Sequence, residues 1–176
     1  MDLIVEPDGD FWRARLGGHG WRCAVGRAGL RPAAEKVEGD GASPIGRWPL
    51  REVFYRADRM ARPLTHLPCR AVTPEDGWCD DPAHPDYNRL VRLPFAASHE
   101  EMFRDDAVYD CVVPLGYNDD PVVAGAGSAI FLHIARPDYA PTAGCAALAR
   151  DDLLAFLAAA KPGVHLRFSP VSGDGI

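Results

Sequence analysis

GSAIFLHIARPDYAPTAGCAALARDDLLAFL, residues 127–157, opens on an apolar run, Ala129 to Leu132, and reaches a histidine at His133. A loop rich in Pro and Asp follows, then Thr142-Ala143-Gly144-Cys145, then apolar residues at helical spacing. The order strand, histidine, loop, Gly-Cys, helix suits an activated nucleophile. Along a strand Phe131 and His133 point one way, and Leu132 and Ile134 the other, so the imidazole need not be buried with the core. A cysteine at a helix start has its thiol pKa lowered by free backbone N–H groups and the positive end of the dipole, and a nearby imidazole takes its proton. Cys145 is therefore the candidate nucleophile and His133 its base, with activity expected to fall below about pH 6 as His133 protonates unless a thiolate–imidazolium pair already dominates at rest. Gly144 lets a carbonyl approach the backbone, the N–H groups of Gly144 and Cys145 are candidate oxyanion donors, and Thr142 is placed to fix the turn.

Outward from this stretch the chain breaks into short extended segments. Leu3 to Val5, Phe11 to Leu16 and Trp21 to Gly26 read as strands, the last two joined by Gly17-Gly18-His19-Gly20 as a hairpin. Trp21, Cys23 and Val25 share one face, which makes Cys23 a packing residue. Val108 to Val113 reads as a buried strand containing Cys111, Glu100 to Phe103 as a short helical turn, and Val164 to Phe168 as a final strand with His165 outward. Leu153, Leu154, Leu157 and Ala160 mark a helix over 148–160 that ends at Pro162-Gly163.

Residues 56–88 are the least regular part, as expected of a lid or a cleft wall. Trp78, Asp80, Asp81, Tyr87 and Asn88 cluster aromatic and hydrogen-bonding groups there and are candidate substrate contacts, together with Tyr117 and Thr142. The alternative for Trp78 is an anchor between loop and core. His66, His84, Asp80, Asp81 and Asp86 fit no metal-ligand template, so neither metal nor other cofactor is expected.

The 176 residues fit a single domain spanning 1–176. A net charge of −6 and a pI near 5.4 exclude the clustered basic face that phosphate backbones need, so no nucleic-acid partner is expected. The 17 Gly and 16 Pro, spread along the chain, favour strands and turns. Five unpaired-looking cysteines leave at least one free thiol. The N-terminus lacks the basic and apolar regions of a signal peptide, and no run reaches the roughly 18 apolar residues of a membrane span. The expectation is a cytoplasmic protein without membrane insertion, or an envelope protein if a leader was removed; oligomeric state is left open.

Three segments in register, Glu38-Gly39-Asp40-Gly41-Ala42-Ser43-Pro44-Ile45-Gly46-Arg47-Trp48, then Ser128 to His133, then Thr142-Ala143-Gly144-Cys145, resemble the YkuD-type L,D-transpeptidase catalytic domains. The resemblance implies a mostly β fold, mixed sheets or a β-sandwich with one or two short helices, one directly after the nucleophile. It implies a cysteine acyl-transfer enzyme acting on peptidoglycan stem peptides or soluble muropeptides. By that likeness Cys145 attacks the L-centre carbonyl of diaminopimelate and expels D-Ala through a thioester, His133 is base then acid, and the backbone carbonyl of Ile134 completes the triad. An amine acceptor would make it an L,D-transpeptidase and water an L,D-carboxypeptidase. The competing reading is a non-catalytic module that binds muropeptide or protein. The sequence departs from the family pattern at Ile134, Ala143 and Ala147, where Gly, His and Arg or Asn are usual, and its loop from histidine to cysteine is short.

Overall fold

Alternating apolar residues in segments too short for helices build the protein from strands, as a computed structural model describes for residues 1–172. Residues 173–176, the end of the expected 1–176 domain, lie outside the described residues. The strands are β1 (Asp2–Asp8), β2 (Phe11–Leu16), β3 (His19–Ala24), β4 (Leu30–Pro32), β5 (Ser43–Pro49), β6 (Val53–Tyr55), β7 (Cys69–Ala71), β8 (Asp76–Cys79), β9 (Leu90–Arg92), β10 (His99–Glu101), β11 (Cys111–Pro114), β12 (Phe131–Ile134) and β13 (Ala146–Leu148), followed by helix α1 (Arg150–Ala159) and β14 (His165–Phe168).

Eleven strands form one mixed sheet in the order β4-β5-β14-β1-β2-β3-β13-β12-β11-β6-β7, and β10-β8-β9 form a second. So many twisted strands curl. Near its two ends the large sheet meets itself, where Leu50 bridges Leu115 and the Gly116 N–H donates to the Pro49 carbonyl at 2.8 Å. The main core lies within, built from Leu3, Val5, Leu132, Leu148 and Leu166 of the strands and capped by Leu153, Phe156 and Leu157 of α1. A second cluster, Phe54, Met102, Tyr109, Val112, Phe131 and Cys145, with Trp78 against it, sits apart from this core. β12 divides its side chains between the two: Leu132 and Ile134 enter the main core, and Phe131 the second cluster.

The mostly β character, the β2–β3 hairpin, the burial of Cys23 and Cys111 and the closing strand agree with the sequence reading. All five cysteines are free thiols. Two expectations need correction. Residues 99–101 form β10 rather than a helical turn, because Glu100 and Glu101 pair with Trp78 and Gly77 of β8. The helix does not follow the nucleophile directly: Ala146–Leu148 form β13, whose pairing with β12 and β3 captures residues that periodicity alone joins to the helix. α1 begins at Arg150, so its dipole does not act on Cys145.

Candidate active site

β12 and β13 run parallel, with His133 opposite Ala147 and Leu132 opposite Ala146. Paired residues share a face and alternate residues return to it, so Cys145, two before Ala147, lies on the same face as His133. Both line a cavity of about 380 Å³. The turn carrying Cys145 is tied to its surroundings through backbone and hydroxyl groups. The Thr142 N–H donates to Val25 O, and Arg27 N–H to Thr142 O at 2.8 Å. The Thr142 hydroxyl donates to Cys145 O at 2.8 Å and accepts the Gly144 N–H at 3.1 Å. Ser43 Oγ accepts the Gly26 N–H and donates to the same Cys145 carbonyl at 3.2 Å. Gly144, at φ +139°, could not be replaced freely: a Cβ there would lie 2.9 Å from Ala42 O.

The Cys145 thiol donates to Ala129 O at 3.3 Å and accepts from Phe131 N–H at 3.4 Å; among the described residues it has no hydrogen bond to His133. Burial pushes the thiol up to about 12, and the nearby Glu100 carboxylate adds to this. Burial lowers His133 to about 4, opposed by its bond to Ile134. His133 Nδ1 lies 2.9 Å from Ile134 O. A carbonyl only accepts, so Nδ1 carries the proton and Nε2 keeps its lone pair. The resting pair is thus neutral thiol and neutral imidazole. This corrects the lowered thiol pKa expected from a helix start: a strand and a buried pocket surround Cys145 instead. The expected Gly144 donor is likewise engaged at rest, by Thr142 Oγ1.

Of the expected substrate contacts, Asp80 and Thr142 line the cavity with Cys145, and Asp80 Oδ1 is buried with no hydrogen-bond partner among the described residues. The other five do not line it; all but Asp81 bond or pack against the segments that form its walls. Trp78 packs edge-on against Phe131, with ring centres 5.1 Å apart, and donates to Asn88 Oδ1. Buried Asn88 accepts as well from Ala129 N–H and donates to the carbonyls of Tyr117 and Asn118, which leaves no group for a ligand. It thereby fixes Ala129, whose φ of +53° aims its carbonyl at the thiol. The Tyr87 hydroxyl donates to Glu38 and accepts from Gly127 N–H. Tyr117 donates to Ala126 O and packs edge-on against Trp48. Asp81 accepts from Ala83 N–H in an exposed turn.

Sequence reasoning missed the remaining lining residues, among them Arg27, Glu38, Glu100, Arg104 and Tyr109. The Tyr109 ring stands 5.5 Å from the His133 ring at 65°, and its hydroxyl donates to Glu100 Oε2 at 2.5 Å. Glu100 is brought in by the β10–β8 pairing, which no local periodicity announces. Glu38 and Ser43 did carry a signal, since both stand in the Glu38–Trp48 segment.

The model of the L,D-transpeptidase catalytic domain, YkuD, matches residues 3–171. Among solved structures the chain is similar to the helical cell shape determining protein Pgp2 from Campylobacter jejuni, at 14% identity over 97% of this chain and 48% of that one, with a TM-score of 0.47. A mutant of the same Campylobacter jejuni protein matches at 14% identity, 97% and 47% coverage and a TM-score of 0.46. The chain spans about half the length of these structures. No curated protein matches significantly. With the family model spanning nearly all of the described residues, the chain belongs to the L,D-transpeptidase catalytic-domain family.

Proposed function

We propose that the protein is a cysteine acyl-transfer enzyme acting on peptidoglycan stem peptides, cleaving the bond between the L-centre of diaminopimelate and D-Ala. The observation that carries this reading is the placement of Cys145 and His133 on one face of paired strands, in one cavity, with Ile134 O holding the imidazole proton on Nδ1. Substrate binding brings Sγ within reach of Nε2, which takes the thiol proton as sulfur attacks the carbonyl carbon. The tetrahedral oxyanion collapses, the C–N bond breaks, and Nε2–H protonates the departing D-Ala amine. A thioester on Cys145 remains. Water then yields the tripeptide, and an amine acceptor a new amide, with His133 taking the incoming proton in either case. The Gly144 N–H serves the oxyanion once Thr142 Oγ1 releases it, the hydroxyl keeping its bond to Cys145 O.

The test is intact-protein mass spectrometry after incubation with a carbapenem. One covalent adduct is expected on wild type and none on Cys145→Ala; an unmodified wild type, or an undiminished adduct on the variant, overturns the reading. Product analysis on a disaccharide tetrapeptide, with and without an amine acceptor, then separates hydrolysis from transfer.

A further inference from the structure

The cavity beside Cys145 is lined by four cations, and three of them already bond a carboxylate. Lys36 Nζ bonds Asp40 at 2.7 Å, Arg104 makes a two-pronged bond to Asp106 at 2.8 and 2.7 Å, and Arg136 reaches the same carboxylate at 3.3 Å. The fourth, Arg27, is different. Its guanidinium has no hydrogen bond or ion pair among the described residues. It is also well placed: its backbone N–H is bonded to Thr142 O, three residues before the nucleophile, and its side chain lies against Gly41, where a Cβ would come within 2.8 Å of Cζ. The absence of a side chain at Gly41 leaves the space that the guanidinium occupies. Of the cavity's three acids, Glu38 is held by Tyr87 and Ser128 and Glu100 by Tyr109, while Asp80, whose buried Oδ1 has no hydrogen-bond partner among the described residues, makes no ion pair with Arg27. Arg27 is exposed, and an unpaired planar fork of N–H donors lining the same cavity as the nucleophile suits a carboxylate, which it binds through two parallel charge-assisted bonds.

We infer that Arg27 is the carboxylate anchor of this site, binding an anionic group of the acyl donor while Cys145 attacks. The inference rests on the acyl-transfer reading for the identity of the donor, but not for the anion preference itself. The two residues on either side of the scissile bond each carry a carboxylate, the C-terminus of the expelled D-Ala and the side-chain carboxylate of diaminopimelate.

Two measurements test it. In the first, Cys145 of the full chain is alkylated with iodoacetate or with uncharged iodoacetamide, and the site is read by peptide mass mapping. The ratio of the two rates is expected to fall about fivefold or more in Arg27→Met and to recover partly in Arg27→Lys. An unchanged ratio in Arg27→Met overturns the inference, whether or not any peptide is turned over. In the second, KM is measured for tetrapeptides with a free or an amidated C-terminus, and with a free or an amidated diaminopimelate side chain. Arg27→Met is expected to raise KM about 10- to 100-fold on the all-acid peptide. Wild type and variant are expected to converge on whichever amidated peptide lacks the carboxylate that Arg27 holds, which identifies the source. Equal KM values for wild type and variant on every peptide overturn the inference. Absence of turnover on all peptides with a normal alkylation ratio shift removes the acyl-transfer reading and leaves the anion site standing.

Discussion

His133 Nδ1 is bonded at 2.9 Å to the carbonyl oxygen of Ile134, the next residue along its own strand. That one contact fixes the imidazole tautomer without any acidic side chain. A carboxylate in this place would favour the imidazolium; a carbonyl orients the ring and leaves burial to set its basicity. The consequence is a base that is neutral and available over the whole physiological range.

The pH dependence follows from that burial. Because His133 is lowered to about 4, its base form is lost only as pH falls through about 4, not 6, and because Cys145 is pushed up to about 12, the thiol stays protonated well above neutrality. Carbapenem acylation rates under non-saturating conditions are expected to be flat from about pH 6 to 8 and to halve near pH 4. A half-point near 6.5 would show that the histidine titrates as if it were exposed. The acid limit thus lies below the pH 6 expected from sequence, because burial disfavours the imidazolium.

Thr142→Val should separate the turn's hydrogen bonds from its packing. It removes the hydroxyl that joins Gly144 N–H to Cys145 O and leaves the N–H of buried Gly144 without its partner. A loss of about 1–3 kcal/mol is expected, seen as a fall of several degrees in Tm, while Thr142→Ser stays close to wild type. If Val and Ser variants melt together, the hydroxyl does not hold the turn.

Gly144→Ala combines two costs. The φ of +139° disfavours any side chain, and the new Cβ would meet Ala42 O at 2.9 Å and Ile130 Cδ1 at 3.2 Å. Gly163→Ala, at φ +79° with nothing within 4 Å, carries the backbone term alone, about 1 kcal/mol. Urea unfolding should therefore rank Gly144→Ala well below Gly163→Ala, and only the former should lose carbapenem acylation.

The Lys36–Asp40 pair is tied to the segment that carries Ala42 and Ser43 through the Ala42 N–H, which donates to Asp40. Both side chains are almost fully buried, 3% and 5% exposed, and Asp40 also accepts the N–H groups of Val37 and Ala42. Burial pulls the Asp40 carboxyl up, but the Lys36 ammonium and the two amides together hold it below its ordinary value. Asp40→Asn takes the counter-charge from the buried ammonium, leaving it the Val37 carbonyl, and is expected to cost about 3–5 kcal/mol, with Lys36→Met less destabilised because Asp40 keeps Arg31 and its two amides. The carboxylate's contribution is fully present above about pH 4 and is lost as pH falls through the depressed native value. The urea midpoints of wild type and Asp40→Asn should accordingly converge in acid; a constant gap down to pH 2 would count against the pair.

The sequence by itself made β1, β2, β3, β11, β12 and β14, the hairpin and a candidate Cys-His pair legible, because these depend on period-two alternation and on residue types that local chemistry makes distinctive. The Glu38–Trp48, Ser128–His133 and Thr142–Cys145 segments were legible as a set through their resemblance to the YkuD-type catalytic domains. Only the tertiary structure decided that Ala146–Leu148 form a strand, since three apolar residues suit a helix equally until β12 and β3 offer unpaired backbone groups beside them. It also decided which wall residues face the cavity: Tyr87, Asn88 and Tyr117 spend their polar groups on the frame, while Tyr109, Glu100 and Arg27 arrive from distant segments. The protonation state of His133 and Cys145 belongs to the same class, because it is set by how much water the assembled sheet excludes.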